Sequence, residues 1–273
     1  MRIFLSSVLC GFAGLLTFPA LSDAAASEHH GPSRIMLGTV HGDEGWQGDL
    51  QWRYGVHGLL DPVNASDKAG QPQGYPSGSQ FELASLDVRF DRDEIRLQKA
   101  ALLSLVQLSD AGGSDSTAPL VINAWKLEAQ LRRFAGADAE LFSEVVVGAG
   151  HSILTGFGKR GSPSDDREFA SIGDAFAYGL VELISRADNQ FDDGYQLSAG
   201  VRAGWLWQGR MNQERIEFSW QPSLAGDDTF RRELTIEEAL NGFGDVQLRF
   251  GFRREWADSA AVNTWNVNYV WYY

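Results

Sequence analysis

The sequence predicts an all-β fold: a closed antiparallel transmembrane β-barrel of the outer-membrane type, with about twelve strands. Three observations predict it. The N-terminus has the layout of an export signal, long stretches alternate apolar and polar residues, and the last of these ends on an aromatic residue, Tyr273. Composition alone is that of an ordinary globular protein, because 44% of residues are hydrophobic and 22% are charged. The prediction therefore depends on pattern.

The first residues predict a secretory signal peptide. Arg2 is followed by an apolar run from Ile3 to about Leu21, and Ala24-Ala25-Ala26 is a small-residue cleavage site. We expect a signal peptide over residues 1–26, a short mobile lead over 27–33 and a barrel domain over 34–273. The alternative for the first segment is a single N-terminal membrane anchor.

Cysteine and charge exclude several functions. The single cysteine, Cys10, lies within the predicted signal peptide. The mature chain is therefore expected to lack disulfides, thiolate catalysis and cysteine metal sites. The pair His29-His30 is expected to be solvated, so no metal and no cofactor are predicted. The net charge of −13 argues against a nucleic-acid partner.

The barrel strands are predicted by a period of two. Residues 195–207 place Tyr195, Val201 and Trp207 on one face, while Gln196 and Arg202 fall on the other. No later stretch is apolar for the eighteen or so residues of a membrane helix, but a spanning strand needs only about ten. The predicted strands are 34–42, 48–58, 79–91, 94–108, 120–134, 139–155, 169–186, 194–208, 213–223, 229–240, 245–257 and 262–273.

A soluble β-sandwich or lipocalin-like barrel is the alternative that such strands allow. Four features favour the membrane version: long apolar faces, charges of both signs on the opposite faces, tryptophans at strand ends, and the aromatic C-terminus. Trp46, Trp52, Trp256 and Trp271 illustrate the third feature.

The faces opposite the apolar ones predict a polar lumen. Its predicted residues are Asp87, Arg89, Lys126, Glu128, Arg132, Arg202, Arg249 and Arg253. Because an unpaired buried charge is costly, these side chains are expected to pair and fill the barrel. A pore whose charges select solutes is the alternative.

An even strand count places both termini in the periplasm. The tight turns, such as 91–94 and 258–261, would then face outward. The longer loops at 59–78, 109–119 and 156–168 would face the periplasm. This inverts the usual pattern of short periplasmic turns.

Several motifs occur in a recognisable order. Residues 52–62 resemble R-x-x-x-H-D-L-L-D-P, residues 78–82 resemble G-x-Q-I-E, residues 86–90 resemble L-D-x-R-Y, and residues 124–127 resemble S-W-x-L. This order is similar to the C-terminal barrel domain of bacterial outer-membrane proteins that carry an Lnb-type N-terminal periplasmic domain. In some members that periplasmic domain is linked to lipoprotein N-acyl transfer.

The resemblance implies a barrel and does not bring an acyltransferase activity with it. The sequence is expected to begin its barrel directly after the signal peptide, without the cysteine-based periplasmic domain, and Gly58 replaces the family's Asp. The motif residues Arg53, His57, Asp61 and Pro62 are the candidate periplasmic loop site.

Three functions remain open at this point. The first is a non-enzymatic anchor or scaffold that docks a periplasmic protein, the second is a small-solute channel, and the third is an outer-membrane lipid-modifying enzyme. The enzyme is the least favoured of the three. A catalytic Ser–His pair needs both side chains within hydrogen-bond reach, whereas His151 and Ser152 are adjacent on a predicted strand and point to opposite faces. The expected partners are outer-membrane lipids and lipopolysaccharide, the outer-membrane assembly machinery through the C-terminal strand, and a periplasmic protein.

Overall fold

The computed structural model describes residues 33–61, 78–108, 123–134, 140–154, 173–188, 191, 193–209, 212–241, 246–258 and 260–273. The predicted signal peptide (1–26) and nearly all of the predicted lead (27–33) lie outside these residues. Only Ser33 of the lead is described, and it already belongs to the first strand. Within the described ranges no helix is long and apolar enough to cross a membrane.

The described residues form thirteen β-strands. They are β1 (Ser33–Gly42), β2 (Gly45–His57), β3 (Ser79–Phe90), β4 (Ile95–Leu108), β5 (Ala124–Arg133), β6 (Leu141–Leu154), β7 (Gly173–Ala187), β8 (Tyr195–Gly209), β9 (Asn212–Gln221), β10 (Ser223–Gly226), β11 (Arg231–Asn241), β12 (Val246–Ala257) and β13 (Ala260–Tyr272).

These strands close into an antiparallel barrel of twelve positions. Strand β9 pairs with both β8 and β11, and β10 continues along β8 beyond Pro222, so β9 and β10 share one position. Proline has no N–H to give to a strand ladder, which accounts for the break between them. The prediction of a closed twelve-stranded antiparallel barrel is confirmed.

The first and last strands form the closing seam. Strand β1 pairs with β13 from Arg34↔Tyr272 to His41↔Trp265. Ser33 and Tyr273 then exchange backbone hydrogen bonds of 3.4 and 2.9 Å. On the exposed surface beside the seam, the indole N–H of Trp52 on β2 donates to the Tyr273 hydroxyl at 2.8 Å. Both ends of the described barrel therefore lie at one rim, which we call the terminal rim, and the opposite rim is called the far rim.

The barrel is apolar outside and polar inside. On β7, Val181 is 66% exposed on the outer surface, while the next residue, Glu182, is 1% exposed in the lumen. Outward leucine, valine and aromatic side chains recur on the other strands, whereas Gln196 and Gln247 are fully buried within the barrel. A soluble barrel has the opposite arrangement, so this fold is that of a transmembrane barrel.

The lumen departs from the predicted polar interior at the terminal rim. There the inward side chains form an apolar cluster, which includes Leu108, Phe176 and Leu206. Two further members, Leu59 and Leu60, come from the connection between β2 and β3. The segment predicted to be a periplasmic loop thus begins inside the barrel. Burying these leucines removes apolar surface from water, which stabilises the inward path.

Candidate functional site

The candidate site is a tight turn, Gly58–Asp61, which enters the lumen directly after β2. We call this turn the plug. The Asp61 N–H donates to the Gly58 carbonyl at 2.9 Å, and the Gly58 N–H donates to Asp61 Oδ2 at 2.5 Å. Asp61 therefore closes the turn with both its backbone and its side chain, which is a frequent role of aspartate in turns.

The Asp61 carboxylate also fastens the plug to the barrel wall. It forms an ion pair with Arg34 of β1. Arg249 of β12 donates to Oδ1 at 2.7 Å, and the Tyr272 hydroxyl of β13 lies 3.0 Å from the same oxygen. These three partners come from adjacent strands at the seam. Each hydrogen bond to a charged group contributes about 1.5–3 kcal/mol, so Asp61 is strongly held.

A second carboxylate extends the network along the wall. Arg34 donates to Glu82 of β3 at 2.5 Å, and Arg53 of β2 donates to the same Glu82 oxygen at 2.8 Å. Arg34 therefore joins Asp61 to Glu82. The predicted loop residue Arg53 lies instead within β2. Its position in the two-residue period of the strand directs its side chain into the lumen.

Glutamine side chains bind the backbone of the plug. The Gln208 amide donates to the Leu59 carbonyl at 2.9 Å and accepts from the Gly78 N–H at 2.6 Å. Gln247 donates to the Leu60 carbonyl at 2.9 Å. Gln208 thus holds both the plug and Gly78, the residue directly before β3.

Two glycines make the close approach possible. A Cβ on Gly58 would lie 2.7 Å from a guanidinium nitrogen of Arg34, so the glycine leaves room for Arg34 beside Asp61. This is the position at which the resembled family has Asp. Gly78 has a φ of +73°, a conformation that favours glycine.

The eight predicted lumen residues all line one interior cavity of about 250 Å³, beyond the plug. Most are paired: Lys126 Nζ lies 3.1 Å from Glu128, and Arg132 lies 2.5 Å from Glu255. Arg202 binds Glu182 at 2.6 Å and also pairs with Glu217.

Three of the eight lumen residues leave a buried polar atom without a partner. Arg253 binds Glu233 at 2.9 Å and Glu255 at 2.5 Å, and Arg249 belongs to the Asp61 network. Asp87, Arg89 and, at its Nε, Arg253 nevertheless each leave a buried side-chain atom without a hydrogen-bond partner among the described residues. The cavity wall is therefore largely, and not wholly, charge-compensated.

The histidines fall in different places. The side chain of His57, and all of Pro62, His29 and His30, lie outside the described residues. His151 is exposed on the outer surface, whereas Ser152 is 1% exposed and faces inward, so the two point to opposite faces. Where the structure describes the chain, no group of three His, Cys, Asp or Glu residues could hold a metal ion.

Sequence reasoning missed much of the plug network. Arg34, Glu82, Gln208, Gln247 and Tyr272 were not predicted as site residues. The period of two does place Tyr272 on an inward face, and the motif at 78–82 does contain Glu82. Neither pattern reveals that both lie near Asp61, because the distance follows from strand register around the closed barrel.

Comparison with known proteins gives one family match. The family model described as a domain of unknown function (DUF7840) matches residues 27–272. No curated protein matches the sequence.

Solved structures resemble the chain only distantly. The transport unit of the autotransporter AIDA-I from Escherichia coli is 11% identical, with 98% of this chain and 97% of that chain covered and a TM-score of 0.40. OmpTdeltaL8, a loop L8 deletion mutant of OmpT, an outer membrane protein of Vibrio cholerae, is 8% identical over 88% and 98% of the two chains, with a TM-score of 0.32.

A third solved structure is the outer membrane protein OprD from Pseudomonas aeruginosa. It is 13% identical over 92% of this chain and 96% of that chain, with a TM-score of 0.30. The barrel assignment rests on the strand pairing of this chain itself. Because the family match spans nearly the whole sequence, the chain belongs to the DUF7840 family.

Proposed function

We propose that this protein is a sealed, non-conducting barrel of the Gram-negative outer membrane that acts as an anchor or scaffold, docking a separate periplasmic protein at the terminal rim. The single observation that carries the proposal is the plug. The turn Gly58–Asp61 occupies the lumen at that rim and is bound to β1, β8, β12 and β13.

The interior supports a sealed barrel in two layers. The first layer is apolar, with Leu59 and Leu60 packed on Phe176 and Leu206. The second is the ion-paired cavity beyond it. Opening the lumen would require separating Asp61 from two arginines, and breaking a buried pair costs about 3–5 kcal/mol.

The anchoring role is supported by resemblance and topology. The motifs around Arg53 and Asp61 resemble those of barrels that accompany a periplasmic Lnb-type domain. The connections between β2 and β3, β4 and β5, and β6 and β7 all leave from the terminal rim. With an even number of strands, that rim faces the periplasm if assembly leaves the termini there. Long connections gathered at one rim offer a surface for a partner.

Conductance tests the sealed lumen. The purified protein is expected to give no steady current in a planar lipid bilayer. A variant with Leu59→Asp and Leu60→Asp is expected to conduct, because charged side chains are expelled from the apolar cluster. Its heat-modifiable gel mobility shows that it still folds. Regular current steps from the unaltered protein would reject the proposal.

Crosslinking tests the scaffold. A chemical crosslinker applied to intact cells is expected to join the barrel to a periplasmic protein, and deletion of residues 63–77 is expected to abolish the adduct. Deletion of Asp93, in the exposed far-rim turn, serves as the control. A folded barrel recovered without any crosslinked partner would contradict docking while leaving the sealed lumen intact.

A further inference from the structure

A second feature of the molecule lies on its outer surface at the far rim. Five side chains meet where β9, β11 and β12 run side by side: Trp220, Phe230, Arg232, Arg254 and Trp256. Strand register sets Arg232 opposite both Trp220 and Trp256, and it sets Arg254 opposite Leu234. We call these five residues the rim patch.

The arginines of the rim patch stack on aromatic rings. The Arg232 guanidinium lies 5.2 Å from the Phe230 ring centre and 5.6 Å from that of Trp256. Arg254 lies 4.9 Å from the Trp256 ring. Trp220 meets Phe230 edge to face, at 6.0 Å between centres. Such stacking attracts each guanidinium to the faces of the rings and holds it in place.

These two arginines lack the anion that their neighbours have. Arg253, next to Arg254 but inward, binds Glu233 and Glu255. Among the described residues, neither Arg232 nor Arg254 forms an ion pair. The Nε of each is buried without a hydrogen-bond partner, as is that of Arg253, so the missing carboxylate is what distinguishes these two arginines. The Asp258 carboxylate in the adjacent turn accepts the Phe230 N–H at 3.0 Å.

The position of the patch indicates what could supply the anion. Toward the barrel middle, the next outward residues on β11 are Leu234 and Ile236, and on β12 they are Phe252 and Phe250. These side chains face hydrocarbon in a membrane barrel. Trp220 and Trp256 mark the boundary at which aromatic residues collect. The rim patch therefore lies at the level of lipid headgroups.

Phosphate fits the chemistry of the patch. A guanidinium presents a planar set of donors that matches phosphate bidentately, and stacking leaves its edge free to bind. We infer that the rim patch binds the phosphate groups of lipopolysaccharide in the outer leaflet. The inference rests on the proposed outer-membrane placement, because an even strand count with periplasmic termini sets the far rim outside.

Lipid binding by purified, detergent-folded protein tests this inference. The probes are bisphosphorylated lipid A, the same glycolipid without phosphates, and phosphatidylglycerol. The double variant Arg232→Gln with Arg254→Gln is expected to bind bisphosphorylated lipid A about tenfold more weakly or worse, because two charge-assisted contacts are lost. Arg92→Gln, in an exposed turn at the same rim, is the matched control and is expected to bind as the unaltered protein does.

Three results would overturn the inference: undiminished binding by the double variant, equal binding of the phosphate-free glycolipid, or tighter binding of phosphatidylglycerol. Heat-modifiable mobility verifies that each variant is folded. A protein found outside the outer membrane would reject the proposed function itself. A folded protein in the outer membrane that ignores lipid phosphate would reject only the rim patch.

Discussion

Asp61 is the residue on which the plug depends. Its carboxylate accepts from the Gly58 N–H within the turn and pairs with Arg34 and Arg249 across the seam. The side chain is 4% exposed, so water cannot replace these partners. One carboxylate thus ties a connecting segment to the first strand and to the twelfth.

Removing the charge of Asp61 is expected to loosen the barrel. Asp61→Asn keeps the shape of the side chain but leaves Arg34 and Arg249 without their shared anion. The free energy of unfolding is expected to fall by about 3–5 kcal/mol. Urea unfolding in lipid vesicles, followed by tryptophan fluorescence, measures the change.

Asp43→Asn provides the control for that substitution. Asp43 lies exposed in the turn between β1 and β2, where loss of a charge is expected to change stability by less than about 0.5 kcal/mol. If Asp61→Asn were as stable as Asp43→Asn, the plug would not be held by ion pairs.

For single residues, the sequence predicts which side of the barrel a side chain faces better than it predicts which side chains are in contact. The period of two placed Arg249 and Arg253 in the lumen, and the structure finds both lining the cavity. It could not show that Arg34 reaches Asp61, which is 27 residues away. That contact depends on the conformation of the turn after β2, and a turn has no alternation of apolar and polar residues from which its path could be predicted.

Strand bounds were largely predictable from alternation. The predicted strand 79–91 corresponds to β3 and the predicted 94–108 to β4. The predicted strand 213–223 divides into β9 and β10, because Pro222 interrupts the ladder. A strand with one apolar face and one polar face can be recognised locally, which explains this agreement.

The apolar layer under the plug was less predictable. Strand β4 carries apolar residues on both faces, and its inward Leu108 joins the same cluster as Leu59. A strand apolar on both faces indicates burial on both sides. The inner face of β4 is covered by the connecting segment between β2 and β3. The sequence of that segment has no periodic pattern from which its inward path could be predicted.

Strand β7 allows a test of the outward face. Val181→Arg puts a charge near the middle of the outer surface, where it is expected to cost about 2–4 kcal/mol in a bilayer. Ala187→Arg makes a related change on the same face near the far-rim end of the strand, where the expected cost is about 0–1 kcal/mol. Unfolding from vesicles gives both values, and equal costs would argue against a bilayer around β7.

At the scale of the whole molecule, closure depends on the last strand. The strand β13 supplies partners to β12 on one side and β1 on the other, and Tyr273 bonds Ser33 and Trp52. Hydrocarbon offers no substitute partner for an open edge. The described C-terminal end is therefore both the seam and the segment that we expect the assembly machinery to read.

Removing the terminal aromatic residue is expected to impair assembly. Deletion of Tyr273 takes away the ring together with the backbone bonds to Ser33, so the folded fraction in the outer membrane should fall several-fold. Tyr273→Phe keeps the ring and the backbone and should assemble normally. The fraction is measured by heat-modifiable mobility, and normal assembly of the deletion would contradict this role.

Sidedness follows from parity and can be measured by labelling. The mature chain is expected to have no cysteine, so single cysteines can be introduced without background. Asp43→Cys at the far rim should react with a membrane-impermeant maleimide in intact cells. Ser66→Cys, in the connection between β2 and β3, should react only after the outer membrane is permeabilised. The reverse pattern would invert the barrel, and with it the leaflet assigned to the rim patch.

The heat-modifiable mobility of the protein from fractionated membranes tests whether the chain forms a closed transmembrane barrel. We expect the protein to be recovered with the outer membrane. We also expect unheated samples to migrate differently from boiled ones in SDS gels, because the closed barrel resists the detergent. A protein that stays in the soluble fraction and migrates identically with and without boiling would contradict a closed transmembrane barrel.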